Sequence, residues 1–116
     1  MYINVSYCSC LNSLDSKEHP IARLYSKFKK PPEQQKFLKD NAVDIAVGTP
    51  NRVEKLADLE DGLNLSRCKY LIIDMFATVK SFTILDMKET KVDFFNMYNK
   101  HFHKLVKSGQ TKIILF

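Results

Sequence analysis

A chain of 116 residues is one domain's worth of polypeptide, and its 45% hydrophobic content with only three Gly and four Pro argues for a packed core over a disordered tail. The formal net charge of +5 excludes an acidic solvating segment and raises the weight of a polyanionic partner such as RNA. The longest apolar runs, Tyr70-Leu-Ile-Ile and Ile113-Ile-Leu-Phe, fall far below the roughly 20 residues of a membrane-spanning helix, so no membrane partner is expected.

Tyr2 to Tyr7 is rich in β-branched and aromatic residues and predicts a strand; with no basic start and no long apolar stretch it is not a secretory signal, and an intracellular chain is expected. Ser9 to Glu18 carries Leu11 and Leu14 at helical spacing and predicts a short helix that stops before Pro20. Ile21 to Tyr25 is a second strand. Lys27, Lys29 and Lys30 form a basic loop, and Pro31-Pro32 then open a helix to about Lys39, since Pro is tolerated in a first turn.

Val43 to Val47 predicts a buried strand that passes through Gly48 into a helix, with Thr49 as N-cap and Pro50 at the first helical position. Val53, Leu56 and Ala57 line one face of that helix, which Asp61-Gly62 closes. Lys69 to Ile73 is the next strand. Asp86 to Lys107 predicts one long helix with Phe95, Tyr98, Phe102 and Leu105 along its inner stripe, and Phe94 is expected in the core too. Ser108-Gly109 ends it before a last strand from Lys112 to Phe116. Continuous apolar strands alternating with helices predict a doubly wound α/β fold, a parallel sheet covered on both faces.

Cys8, Cys10 and Cys68 are odd in number, and a Cys-x-Cys pair with one distant Cys does not match zinc-ligand spacing. His101 and His103, two apart, point to different faces of a helix. Reduced, buried thiols are expected, with no metal and no other cofactor. Lys100, Lys104, Lys107 and Lys112 stand in a stretch without an acid from Tyr98 to Phe116; they read either as a solvated helix face or as part of a polyanion-binding surface.

Thr49-Pro50-Asn51-Arg52 has a physical sense of its own. A helix N-terminus presents unpaired N–H groups and favours an anion, and an arginine in its first turn can add a charged fork to a phosphate. The plainer alternative is an N-cap with Arg52 solvated or paired to a carboxylate. Lys27, Lys29 and Lys30 likewise read as a phosphate clamp or as a solvated loop.

The order Asp44-Ile-Ala-Val-Gly-Thr-Pro-Asn-Arg-Val53, then Leu65-Ser-Arg-Cys-Lys-Tyr-Leu-Ile-Ile-Asp74, then Thr111-Lys-Ile-Ile-Leu-Phe116, resembles the first RecA-like domain of DEAD-box helicases. In that family the first segment holds the phosphate-contacting Thr-Pro-Gly-Arg turn, the second ends in Asp-Glu-Ala-Asp, and the third precedes Ser-Ala-Thr. The resemblance implies a partial RecA-like, P-loop-less doubly wound parallel sheet of about five strands flanked by helices, a single degenerate domain over residues 1–116. It implies tentative RNA phosphate contacts at Thr49, Pro50, Asn51, Arg52, Lys27, Lys29 and Lys30.

The departures are as informative. Asn51 stands for the helicases' Gly. No G-x-x-x-x-G-K-[ST] occurs, and Asp74-Met75-Phe76-Ala77 stands where Asp-Glu-Ala-Asp is expected, so the Glu that orients the attacking water is replaced by Met75. The chain stops at Phe116, before Ser-Ala-Thr. No residue is assigned a catalytic role, no small-molecule substrate is implied, and a non-enzyme is expected.

That pattern of loss is similar to the CMS family, degenerate DEAD-box-like subunits of the 90S pre-ribosome or small-subunit processome. The matching segments are Ala22-Arg-Leu-Tyr-Ser-Lys-Phe28, Glu33-Gln34 with Phe37-Leu38, Ala46-Val-Gly-Thr-Pro50, Leu63-Asn-Leu-Ser66 and Lys69 to Asp74, with a terminal Leu-Phe. Relatives carry a lysine-rich N-terminal extension, whereas this chain begins at its first strand. The resemblance implies a nucleolar or nuclear, non-catalytic assembly factor in ribosome biogenesis, partnered by pre-rRNA or snoRNA and processome proteins. Two other readings stay open: a helicase half completed by another chain, and a generic flavodoxin-like or nucleotide-binding domain with a chance Thr-Pro-x-Arg turn.

Overall fold

The computed structural model describes residues 2–5, 17–18, 20–25, 30–75, 85–86 and 88–115. Five short strands, β1 (Tyr2–Val5), β2 (Ile21–Leu24), β3 (Ile45–Gly48), β4 (Tyr70–Ile73) and β5 (Lys112–Leu115), form one sheet in the order β2-β3-β1-β4-β5. Every pairing is parallel. Of the expected helix from Ser9 to Glu18 only Lys17 and Glu18 are described, and they form a bend; the rest of it, together with Cys8, Cys10, Lys27 and Lys29, lies outside the described residues.

Helix α1 (Pro31–Asp40) follows β2, α2 (Pro50–Asp58) follows β3, and α3 (Lys88–Met97) leads through a π-helical turn (Tyr98–Phe102) into α4 (His103–Lys107). Prolines at the first positions of α1 and α2 fix φ where no intrahelical N–H is needed. In α1 the Lys30 N–H donates to the Glu33 carboxylate at 3.3 Å, so that helix end carries its own anion. α1 packs on α2 and α2 on α3, forming one helical layer. Right-handed crossovers from β2 through β3 and β4 to β5 require this, since every step moves the same way across the sheet.

The core lies between this layer and alternate strand residues. Ala22, Leu24, Ala46, Leu71 and Ile73 meet Val53 and Leu56 of α2, Phe94 and Met97 of α3, and Phe102. In the register Ala22 faces Ala46 and Leu24 faces Gly48. A Cβ on Gly48 would stand 2.5 Å from the Leu24 carbonyl oxygen and 2.6 Å from the Leu24 Cβ.

The long C-terminal helix departs from the expected single α-helix. The His103 N–H bonds to the Tyr98 carbonyl, five residues back, inserting one extra residue into the ladder. Its buried positions run Thr90, Phe94, Met97 and then Phe102, where an unbroken helix would have turned residue 101 inward. Phe95, expected in the inner stripe, is 44% exposed, while Tyr98 is only half-buried. The stripe drawn from sequence ran through the bulge with the wrong phase.

Beyond that helix Gly109 takes φ 83°, the left-handed conformation that turns the chain into β5. β5 is an edge strand, and its Ile113, Ile114 and Leu115 are all exposed.

Candidate nucleic-acid interface

The carboxyl ends of parallel strands gather loops at one rim of the sheet, the usual crevice in such folds. Here that rim receives Tyr25 and Lys30 beyond β2, Thr49 beyond β3 and Asp74 beyond β4. Because β1 lies between β3 and β4, Thr49 and Asp74 are two strand spacings apart, about 10 Å.

The turn from β3 into α2 is tightly determined. Ala46, Val47 and Gly48 are buried, Thr49 is extended at φ −80° and ψ 149°, and Pro50 begins the helix. Thr49 occupies the N-cap position as expected, its carbonyl accepting from the Val53 N–H at 3.0 Å. Among the described residues its side chain caps no N–H, and the first turn of α2 contains no acid. Asn51 is exposed, as is Lys30.

Arg52 is drawn inward. It is 9% exposed, and its Nη1 donates to Oε1 of Gln34 at 2.8 Å. Gln34, 2% exposed, in turn donates from Nε2 to the carbonyls of Arg23 at 3.0 Å and Tyr25 at 3.2 Å. One buried amide thus ties α2, α1 and the end of β2 together, with both of its polar atoms in use. Sequence reading found Arg52 but missed Gln34. A lone Gln in an otherwise polar helix start gives no sign that it will be buried.

On β4 the chain leaves Ile73 through Asp74 and Met75, both half-buried, and Met75 packs against the core. Phe76 and Ala77 lie outside the described residues.

The opposite rim carries a second polar cluster unforeseen from the sequence. Asp58, at the end of α2, accepts from Lys100 Nζ at 2.8 Å on one oxygen and lies 2.8 Å from His101 Nε2 on the other. Lys100 also stands 3.7 Å from Glu54. The Lys100 hydrogen bond, joined by that to His101, holds the Asp58 carboxyl below its ordinary pKa, and the same bond raises Lys100. His103 turns the other way, with its ring edge-on to Tyr98 at 5.7 Å, so the two histidines do diverge. Cys68 is a fully buried free thiol, its Sγ 3.6 Å from the Tyr70 carbonyl, and desolvation pushes its pKa up.

Fold and site together define a parallel α/β domain with a helix N-terminus and a braced arginine at its carboxyl rim. The chain belongs to the CMS1 family, described as "U3-containing 90S pre-ribosomal complex subunit", whose model matches residues 5–116. It is 31% identical over 97 residues to Protein CMSS1 of Xenopus laevis and 32% identical over 97 residues to Protein CMSS1 of Homo sapiens, in each case over 83% of this chain. Protein cms1 of Schizosaccharomyces pombe is 27% identical over 108 residues, 90% of this chain. The chain spans about a third of these relatives' length, 35%, 34% and 38% respectively. No solved structure matches. The family's setting is ribosome biogenesis.

Proposed function

We propose that this chain is a degenerate, non-catalytic RecA-like domain that serves as a structural, RNA-contacting part of a 90S pre-ribosome subunit in the nucleolus. The observation that carries this reading is Met75. A phosphoryl-transfer site on a RecA-like sheet needs a carboxylate beside Asp74 to orient water, and an apolar thioether packed on the core occupies that place. The all-parallel order β2-β3-β1-β4-β5 and the Thr-Pro turn at the end of β3 support the helicase-like ancestry.

In this reading the carboxyl rim meets RNA phosphate through the N–H groups of Thr49, Asn51 and Arg52 around Pro50, through the Asn51 side chain and through Lys30, with Lys27 and Lys29, just before Lys30 in the sequence, proposed as further contacts. Arg52 acts chiefly as the brace that holds the turn in shape. Such contacts position a strand without reading its sequence.

The test uses the full-length protein. It is expected to co-sediment with 90S particles, to show no RNA-stimulated ATP hydrolysis, and to crosslink to RNA within the Gly48–Val53 segment. ATP hydrolysis abolished by Asp74→Ala would instead establish a helicase half completed by another chain. Co-sedimentation without any crosslink in that segment would remove the RNA contact and leave protein docking.

A further inference from the structure

We infer that the amino-terminal rim under β4 and β5 is a second RNA-backbone site, formed by Lys69, Lys104, Lys107 and Lys112. This rests on the reading of the chain as part of a ribonucleoprotein, and it places phosphate contacts at the end of the sheet opposite the Thr49 turn.

The four lysines come from three elements that the backbone stitches together. Gln110 Nε2 donates to the Ser66 carbonyl at 2.7 Å, and Thr111 Oγ1 donates to the Cys68 carbonyl at 2.7 Å. The Lys112 N–H donates to the Lys69 carbonyl at 2.9 Å, and the Thr111 N–H to the Leu105 carbonyl at 3.1 Å. Thr111 is 2% exposed, so this seam is a buried one. It fixes the loop before β4, the end of α4 and the start of β5 as one platform, from which all four lysines are exposed.

The platform is one-signed. No acid occurs from Gly62 to Ile73 or from Phe94 to Phe116. On the same rim Asp44, just before β3, lines a cavity with Ser66 and Arg67, while under α2 Asp58 is taken up by Lys100 and His101, and Asp61 by Lys39 at 3.2 Å, with Glu60 exposed beside them. Complementing a helix end accounts for Lys104 and Lys107 in the last turn of α4, but not for Lys69 and Lys112, because strand ends carry little dipole. Like charges held together on a pinned backbone repel one another, and a polyanion relieves that repulsion. Flexible ammonium groups suit phosphate contacts that are independent of sequence and sensitive to salt.

The test measures binding of a short labelled single-stranded RNA to the full-length protein across a potassium chloride series. Replacing Lys69, Lys104, Lys107 and Lys112 together by Gln is expected to weaken binding by about tenfold or more, and to lower the slope of log affinity against log salt by about 3, from roughly 0.7 per lost contact. The pairs Lys69→Gln/Lys112→Gln and Lys104→Gln/Lys107→Gln should each give about half of that slope change. The carboxyl-rim variant Lys30→Gln/Asn51→Ala should retain most of the platform's slope. Wild-type binding by the fourfold variant, with an unchanged melting curve, would overturn the inference. So would a polyglutamate peptide that binds the wild type as tightly as RNA and is lost in the same variant, since the platform would then be a protein site. Loss of RNA in the carboxyl-rim variant alone overturns this site and leaves the Thr49 rim standing, whereas absence of RNA binding in the wild type overturns both.

Discussion

Arg52 and Gln34, eighteen residues apart, form a buried hydrogen bond of 2.8 Å that joins the first turn of α2 to α1. Gln34 completes its bonding on the carbonyls of Arg23 and Tyr25, so removing it strands a guanidinium contact and two acceptors at once. Gln34→Leu is expected to cost about 2–3 kcal/mol, because one buried guanidinium N–H loses this acceptor and two backbone carbonyls lose the Nε2 donor. Arg52→Met should cost less, since it removes the charge itself. Urea titration monitored by circular dichroism ranks the two variants, and a smaller loss for Gln34→Leu would show that water restores the network.

Gly48→Ala and Gly109→Ala separate two reasons for glycine. At Gly48 the added Cβ meets the Leu24 carbonyl and Cβ, neither of which is the far end of a flexible side chain. The expected cost is about 2–3 kcal/mol, from displacing β2 against β3. At Gly109 the space is open and only the φ of 83° opposes a side chain, so the expected cost is about 1 kcal/mol. Thermal melting of both variants checks the order.

The Asp58 cluster gives the protein an acid-sensitive contact. Its folded carboxyl lies below the ordinary value, so its contribution is fully present above about pH 4 and is lost as the pH falls through the folded value. The side chain is 37% exposed, and solvent screening keeps the effect small. Asp58→Asn should therefore lower the melting temperature slightly at neutral pH and flatten its decline in acid. A variant that follows the wild type in parallel down to pH 3 would show that the pairing contributes nothing.

Cys68 should be inert until the domain opens. Its thiol is fully buried and its pKa is raised by desolvation, both of which suppress the reactive thiolate. Alkylation followed by peptide mass spectrometry is expected to label Cys68 only when denaturant is added. Labelling at native rates would place the residue on a locally opening segment.

The strands were legible because a parallel sheet buries apolar runs whose composition is local: each described strand overlaps its expected segment to within one or two residues at either end, β3 starting at Ile45 and running on to Gly48 where Val43 to Val47 was expected. The Thr49-Pro50 helix start was equally plain, since Pro fixes its own φ. What escaped depended on residues distant in sequence. The inward turn of Arg52 needs Gln34, whose side chain in isolation looks like any other polar helix residue. Phe95 was misplaced because the π-helical turn at Tyr98–Phe102 adds a residue to the helix, and no propensity in Tyr-Asn-Lys-His-Phe marks it. The lysine platform was half visible: the acid-free stretch from Tyr98 showed three of its four members, but only pairing of β4 with β5 brings Lys69 beside Lys112.

The outer edge of β5, paired with no other strand among the described residues, governs how this domain behaves in a test tube. Ile113, Ile114 and Leu115, exposed by 41%, 39% and 65%, present apolar side chains beside a ladder left open among the described residues, with Lys112 the one charge on the strand. Edges of this kind template pairing with another chain. Concentrated in solution, the domain should scatter light as growing oligomers. Ile114→Lys would serve as a gatekeeper, keeping the solution monodisperse without touching the rims at either end of the sheet.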